Sequence, residues 1–360
     1  MSTSPNRLML FIGSYAEAEG PGVYVYELQA DTAELRQLDQ VSGLKNPTFL
    51  NVDEQNHRLY TLTEATINGS KGGAAASFQI DTSTGKLREL NREVNLESTT
   101  CHINRDEDNK YLVVSSYHGG TVGLVALNAD GTIGELVDTK QHTGHGADPE
   151  RQDKPHVHSA FFSPDGRFLF VSDLGIDIVR AYTINRTNHT LEFHADTHLP
   201  PGSGPRHLAF HPGGKYAYVI NEVNSTIAAF SYDQEAGKLA ALEVVPTLPE
   251  DFRGENTTAE IAVSQDGRYL YGSNRGHDSI VVYSINQDSG RLTYVEHVST
   301  EGGHPRHFAL TPDGSLLIAA NRDSNNLAVF RVNKETGQLS FTGQTAEVSK
   351  PVCVKPVQFS

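Results

Sequence analysis

The chain has 360 residues, a formal net charge of −15 and no tryptophan. So acidic a protein lacks the basic face that nucleic acids and anionic membranes require, so neither is expected as a partner. Two cysteines are too few for a disulfide-built scaffold and suit free thiols in a reducing cytoplasm.

The first apolar run, LMLFIGSY at residues 8–15, is too short for a signal peptide or a membrane span. It reads as a β-strand, as does GVYVYEL at 22–28, because both are rich in β-branched and aromatic residues. A polar turn then leads into Leu35, and the same turn and aliphatic residue return at Leu87, Ile133, Leu191, Leu239, Leu292 and Leu339. The copies DTSTGKLREL, DQEAGKLAAL and NKETGQLSF show the pattern, which recurs roughly every 50 residues from end to end, with no helical periodicity.

Between these turns lie runs such as GRFLFVSD, KYAYVINE and SLLIAANR, punctuated by Pro-Asp-Gly or Asn. Each unit thus supplies four strands, A to D from the inside outward. This predicts an all-β fold: a seven-bladed β-propeller of four-stranded antiparallel blades, occupying residues 1–360 as a single domain. The missing tryptophan sets it apart from WD repeats. No A strand precedes LMLFIGSY, and PVCVKPV at 351–357 is an unclaimed strand. It is expected to join the N-terminal blade and close the ring, which removes open sheet edges.

Superposing the units on the Pro-Asp-Gly turn gives two series of equivalent positions. Thr48, Cys101, His158, Arg206, Ala259 and Arg306 stand where strand A begins; Tyr15, Glu64, Tyr117, Leu174, Glu222, Arg275 and Arg322 stand where strand B ends. Antiparallel neighbours place both series at one mouth of the central channel. Strand alternation adds His156 and His304, two residues earlier. Several arginines gathered on an acidic protein suit a carboxylate or phosphate. A histidine or glutamate among them suits proton transfer.

The segments PHVHSAFFSPDGRFLFVSDLGIDIVRAYTI, GPRHLAFHPGGKYAYVINEVNSTIAAF and HPRHFALTPDGSLLIAANRDSNNLAVF resemble the seven-bladed lactonase family, which includes propeller-type 6-phosphogluconolactonases and fungal carboxymuconate cyclases. The resemblance covers essentially the whole chain. It implies a catalytic set of His158, Arg206, Glu222 and Arg275, with His156 taking the histidine role if the register slips by two. It also implies a small anionic lactone substrate. His158 would activate water, assisted by Glu222, with Arg206 and Arg275 on the oxyanion. Arg306 and Arg322 are expected at a phosphate, and His156, Glu64 and Tyr117 at the substrate. Reversible lactonisation of a muconate uses the same residues.

No cofactor is expected. The segment HTGHGADPERQDKPHVH at 142–158 carries histidines and carboxylates but no compact zinc spacing. A mouth dominated by arginine would repel a cation, so the segment reads as a solvated flap. Residues 64–76, EATINGSKGGAAA, read as a flexible insertion or lid. A non-catalytic propeller scaffold would instead need a broad apolar rim. The oligomeric state is left open between monomer and homodimer.

Overall fold

The computed structural model describes residues 7–359, and these form seven four-stranded antiparallel sheets with no helix among them. Blades 2 to 7 each take four consecutive strands. Blade 1 takes its innermost strand from the other end of the chain. Pro351–Phe359 pairs with Arg7–Ser14, matching Arg7 to Phe359 and Met9 to Val357, and Pro21–Leu28 and Leu35–Ser42 complete the blade. The expected closure strand is present and slightly longer than the sequence indicated.

The recurring turn has a twofold physical cause. Two residues before each repeated aliphatic side chain, the backbone is left-handed in all seven units, at Ala33, Gly85, Gly131, His189, Gly237, Gly290 and Gly337. Glycine is favoured there on conformational grounds alone. In blades 5, 6 and 7 it is also required by packing: a Cβ on Gly237, Gly290 or Gly337 would lie within 2.4 Å of Phe168, Tyr216 or Tyr269 of the preceding blade.

Contacts between blades recur in register. The strand-B aromatics Tyr60, Phe170, Tyr218 and Tyr271 are buried, and the hydroxyls of Tyr218 and Tyr271 donate to the Gly290 and Gly337 carbonyls of the next blade. On the outer rim, the amide of the repeated aliphatic residue donates to an acidic side chain one blade back. Leu87 bonds Asp39, Leu191 bonds Asp138, Leu292 bonds Glu243 and Leu339 bonds Glu296. Asp165, Asp266 and Asp313 accept bonds within their own A–B turns.

Two segments differ from expectation. Residues 64–76 are no flexible insertion: Arg58–Ile67 and Ser70–Ile80 form one long hairpin, turned by left-handed Asn68 and Gly69. Asn-Gly is a favoured pair for such a two-residue turn. Gly73 belongs to the packing, since a Cβ there would meet Asn95 at 2.7 Å. Cys101 lies just before its strand rather than in it, only partly buried, and both cysteines are free thiols.

The strand-A starts carry an irregularity with consequences for the mouth. Pairing skips a residue between Val157 and Ser159, between Pro205 and His207, and between Pro305 and His307; in blade 6 it skips from Thr258 to Ile261. These are β-bulges, which re-aim side chains. His158, Arg206, Arg306 and, in blade 6, Ala259 and Glu260 are the residues left outside the ladder.

Ending the chain at Lys350 removes the innermost strand of blade 1 and exposes the edge of Arg7–Ser14. The expected result is loss of a single cooperative thermal transition and elution at larger size than the full chain in size-exclusion chromatography. A truncated chain that melts and elutes like the full one would show that closure does not hold the ring.

Candidate active site

A cavity of 330 Å³ opens at the mouth where strands A begin. Its wall draws on blades 1, 2, 3, 4, 5 and 7. Of the residues singled out in the sequence, it contains Glu64, Tyr117, His158, Arg206, Glu222 and Arg306, along with Tyr15, Thr48 and Cys101.

The floor is a buried ionic cluster centred on Glu222, which directly follows strand Tyr216–Asn221. Its Oε2 lies 3.0 Å from Arg206 Nε and 2.7 Å from Arg275 Nη2, and its Oε1 accepts from Arg151. Arg206 also donates to the Ala259 carbonyl at 2.6 Å, and Arg275 to that of Thr258 at 2.5 Å. Burial alone would raise the Glu222 pKa, but Arg275, Arg206 and Arg151 outweigh it and hold the carboxyl well below its ordinary value. Burial and the neighbouring arginines bring Arg206 down to about 9, which leaves it cationic at neutral pH.

His158 is buried beside this cluster, and its pKa is held well below 6.5 by burial and by Arg206, so the imidazole is neutral. Arg306 lines the cavity with no carboxylate within ion-pair distance among the described residues; its guanidinium faces the Tyr15 ring at 5.7 Å. Four arginines thus face two carboxylates, Glu222 and Glu64. Glu64 accepts from Asn46 at 2.6 Å and stands 3.9 Å from Lys71. The excess charge is positive.

Four of the predicted polar residues, Arg275, His156, Arg322 and His304, stand outside the cavity wall. Arg275 is behind Glu222 and reaches the site only through it. His156 stacks on Tyr117 at 4.2 Å and bonds its carbonyl, so it supports a wall residue. Arg322 turns to Asp323 at 2.6 Å, near His304. Strict alternation, which selected His156 and His304, ignores the bulge. The same bulge lets Arg206 and the adjacent His207 both reach the cavity, and His207 was overlooked for that reason.

Arg151 was overlooked because it belongs to segment 142–158, which is no loose flap. His142 is buried against Asp173 at 2.7 Å, and Gln152 donates to Asp177 at 2.7 Å and to the Leu174 carbonyl at 2.8 Å. Asp173 also accepts the His156 amide, and Asp177 those of Gly202 and Gly204 in blade 5. These two aspartates anchor the segment that brings Arg151 to Glu222. Among the described residues, no three His, Cys, Asp or Glu side chains converge as a metal site.

The family model described as lactonase, 7-bladed β-propeller, matches residues 9–356. The chain belongs to this family. It is 39% identical to a 6-phosphogluconolactonase of Bacillus subtilis over 96% of this chain and 97% of the relative. A 6-phosphogluconolactonase of Formosa agariphila is 34% identical over 84% of this chain and 86% of its own. Among solved structures, the periplasmic gluconolactonase PpgL of Pseudomonas aeruginosa superposes with a TM-score of 0.89 at 31% identity, covering 98% and 99% of the two chains.

Replacing Glu222 by Gln leaves three arginines without their shared countercharge. The expected loss is about 3–5 kcal/mol in urea unfolding at neutral pH. The depressed pKa makes the wild-type contribution fully present above the ordinary carboxyl value of 4.5 and lost as pH falls below it. The two stabilities should therefore converge in acid. Arg306→Ala, which breaks no ion pair, should change stability by less than about 1 kcal/mol.

Proposed function

We propose that this member of the lactonase family hydrolyses 6-phosphoglucono-δ-lactone to 6-phosphogluconate, without a metal, at the strand-A mouth. The observation that carries the proposal is the cationic excess around a neutral buried histidine in one cavity, above all Arg306, which has no carboxylate partner among the described residues. The names of the Bacillus and Formosa relatives point to the same substrate.

In the proposed reaction, His158 takes a proton from water as the water oxygen bonds to the lactone carbonyl carbon. Arg206, already fixed by Glu222 and the Ala259 carbonyl, faces the developing oxyanion with little reorganisation. Collapse breaks the bond to the ring oxygen, which takes up a proton. Glu222 is a poor base because its arginines hold it ionised and occupied; its part is to position Arg206 and balance charge. Arg275 supports Glu222 from behind. Arg306 is the candidate for the phosphate, with Arg151 second. Arg322, paired with Asp323 outside the wall, is a weaker candidate.

A second reading follows from the Pseudomonas relative: an unphosphorylated gluconolactone. Arg306 separates the two, since only a phosphorylated substrate needs it. A cytoplasmic location is part of the proposal and is supported by the two free thiols; the Pseudomonas relative is periplasmic by name.

The test is hydrolysis of freshly generated 6-phosphoglucono-δ-lactone by chelator-treated protein, with spontaneous hydrolysis subtracted. His158→Ala and Arg206→Ala should each lower kcat by about 10²-fold or more. Arg306→Ala should raise KM for the phosphorylated lactone by about 10-fold or more, the loss of one charge-assisted contact. It should leave KM for glucono-δ-lactone unchanged. Equal effects on both lactones would remove the phosphate assignment, and no turnover above background would remove the reaction.

A further inference from the structure

Near the starts of strands A stand His102, His207, Glu260 and His307, all buried; His207 reaches the cavity wall, and the other three lie behind it in the channel. Glu260 is the centre of this group. Its carboxylate lies 3.1 and 3.2 Å from His207 Nδ1 and 2.9 Å from His307 Nε2, and it accepts the Ile261 amide at 3.0 Å.

These bonds fix the tautomers. His307 Nδ1 accepts the Val354 amide at 3.4 Å, so its Nε2 carries the hydrogen that Glu260 receives. A carboxylate only accepts, so His207 must carry its hydrogen on Nδ1. The lone pair of His207 is therefore on Nε2, which is buried and has no hydrogen-bond partner among the described residues.

In the same cavity wall, His158 Nδ1 is also buried without a hydrogen-bond partner among the described residues, and the two rings are 5.2 Å apart. One bridging water can span such a pair. Each orphaned nitrogen otherwise costs desolvation energy for nothing. The two rings differ in their surroundings. Among the described residues no carboxylate lies within hydrogen-bond distance of His158, which instead faces Arg206 and Arg306, so an imidazolium there is disfavoured. Burial, Arg206 and His307 bring the His207 pKa down to about 4, and His102 packs against it as well, but it alone of the pair has an anion, Glu260, on its far side to oppose that fall.

We propose that His207 is a relay residue for the hydrolysis assigned above, on which this inference rests. As His158 takes the water proton on Nε2, its Nδ1 proton passes to His207 Nε2, and Glu260 balances the charge. No proton is lost: His207 becomes an imidazolium, His158 returns to neutral, and the reverse transfer supplies the proton that the ring oxygen takes when the lactone bond breaks. Glu260 orients His207, and His307 and the Ile261 amide orient Glu260.

The experiment pairs kinetics with a measurement that needs no substrate. Glu260→Gln keeps the shape and removes the charge. It should lower kcat for 6-phosphoglucono-δ-lactone by about 10²-fold with KM nearly unchanged. It should also move the acid limb of kcat/KM to lower pH, because His207 without its anion gains a proton less readily. His207→Gln should lower kcat similarly. Folding of each variant is checked by thermal melting.

A folded Glu260→Gln with wild-type kcat and an unmoved acid limb would overturn the relay. In the wild-type protein, ¹⁵N NMR of the imidazoles should show both His207 and His158 protonated at Nδ1 only. A His207 protonated at Nε2 would overturn the relay whatever the variants do. Absence of wild-type turnover bears on the hydrolytic reading alone, and the tautomers then decide the arrangement of the pair.

Discussion

Every side chain at the mouth depends on a hydrogen-bonded ladder between the two ends of the chain. Residues 351–359 and 7–14 are far apart in sequence, and their pairing turns seven sheets in a row into a ring. Only in a ring do Tyr15 of blade 1 and Arg306 of blade 7 stand together over one cavity. The site belongs to no single blade. Its geometry is a property of closure, and most blades contribute only a few residues, where the inner strand begins and its neighbour ends.

Electrostatics at this mouth run against stability. Desolvating four ions to build a buried cluster is rarely recovered by their mutual attraction, and the arginines around Glu222 outnumber it. Such an arrangement makes sense where an incoming anion completes the balance. The neutral histidine beside it fits the same logic, since burial and neighbouring cations that suppress its charge also keep its lone pair free. Two rings of residues are stacked here. An upper one of arginines carries the excess positive charge, and a lower one of histidines with Glu260 has its own anion.

What the sequence reveals and hides follows from period. The C–D turn repeats because its backbone is left-handed in all seven units, which favours glycine in five of them, and in three an aromatic neighbour demands it as well. Closure was legible from an unclaimed strand. Series built on the A–B turn found His158, Arg206, Glu222 and Arg306 because a fixed offset from a turn is insensitive to what happens inside the strand. Extending the series by alternation failed at His156 and His304, and His207 was missed, because a bulge adds a residue without leaving a composition signal. Arg151 was hidden for another reason. It occurs in one unit only, so no comparison among units could find it. The Asn-Gly turn of residues 58–80 was visible in the sequence, but the glycines around it suggested flexibility where they allow close packing.

The segment carrying Arg151 enters the site from outside the repeat and is fastened by Asp173 and Asp177, with further bonds to Tyr182 and to the Leu174 and His118 carbonyls. Both aspartates belong to blade 4, and the segment they hold has no counterpart in the other units. Replacement of 142–155 between related propellers could therefore alter one charge over the cavity while the fold and the remaining arginines stay as they are. The charge over such a cavity is thus set in part by a single insert, apart from the sevenfold repeat that sets the blades.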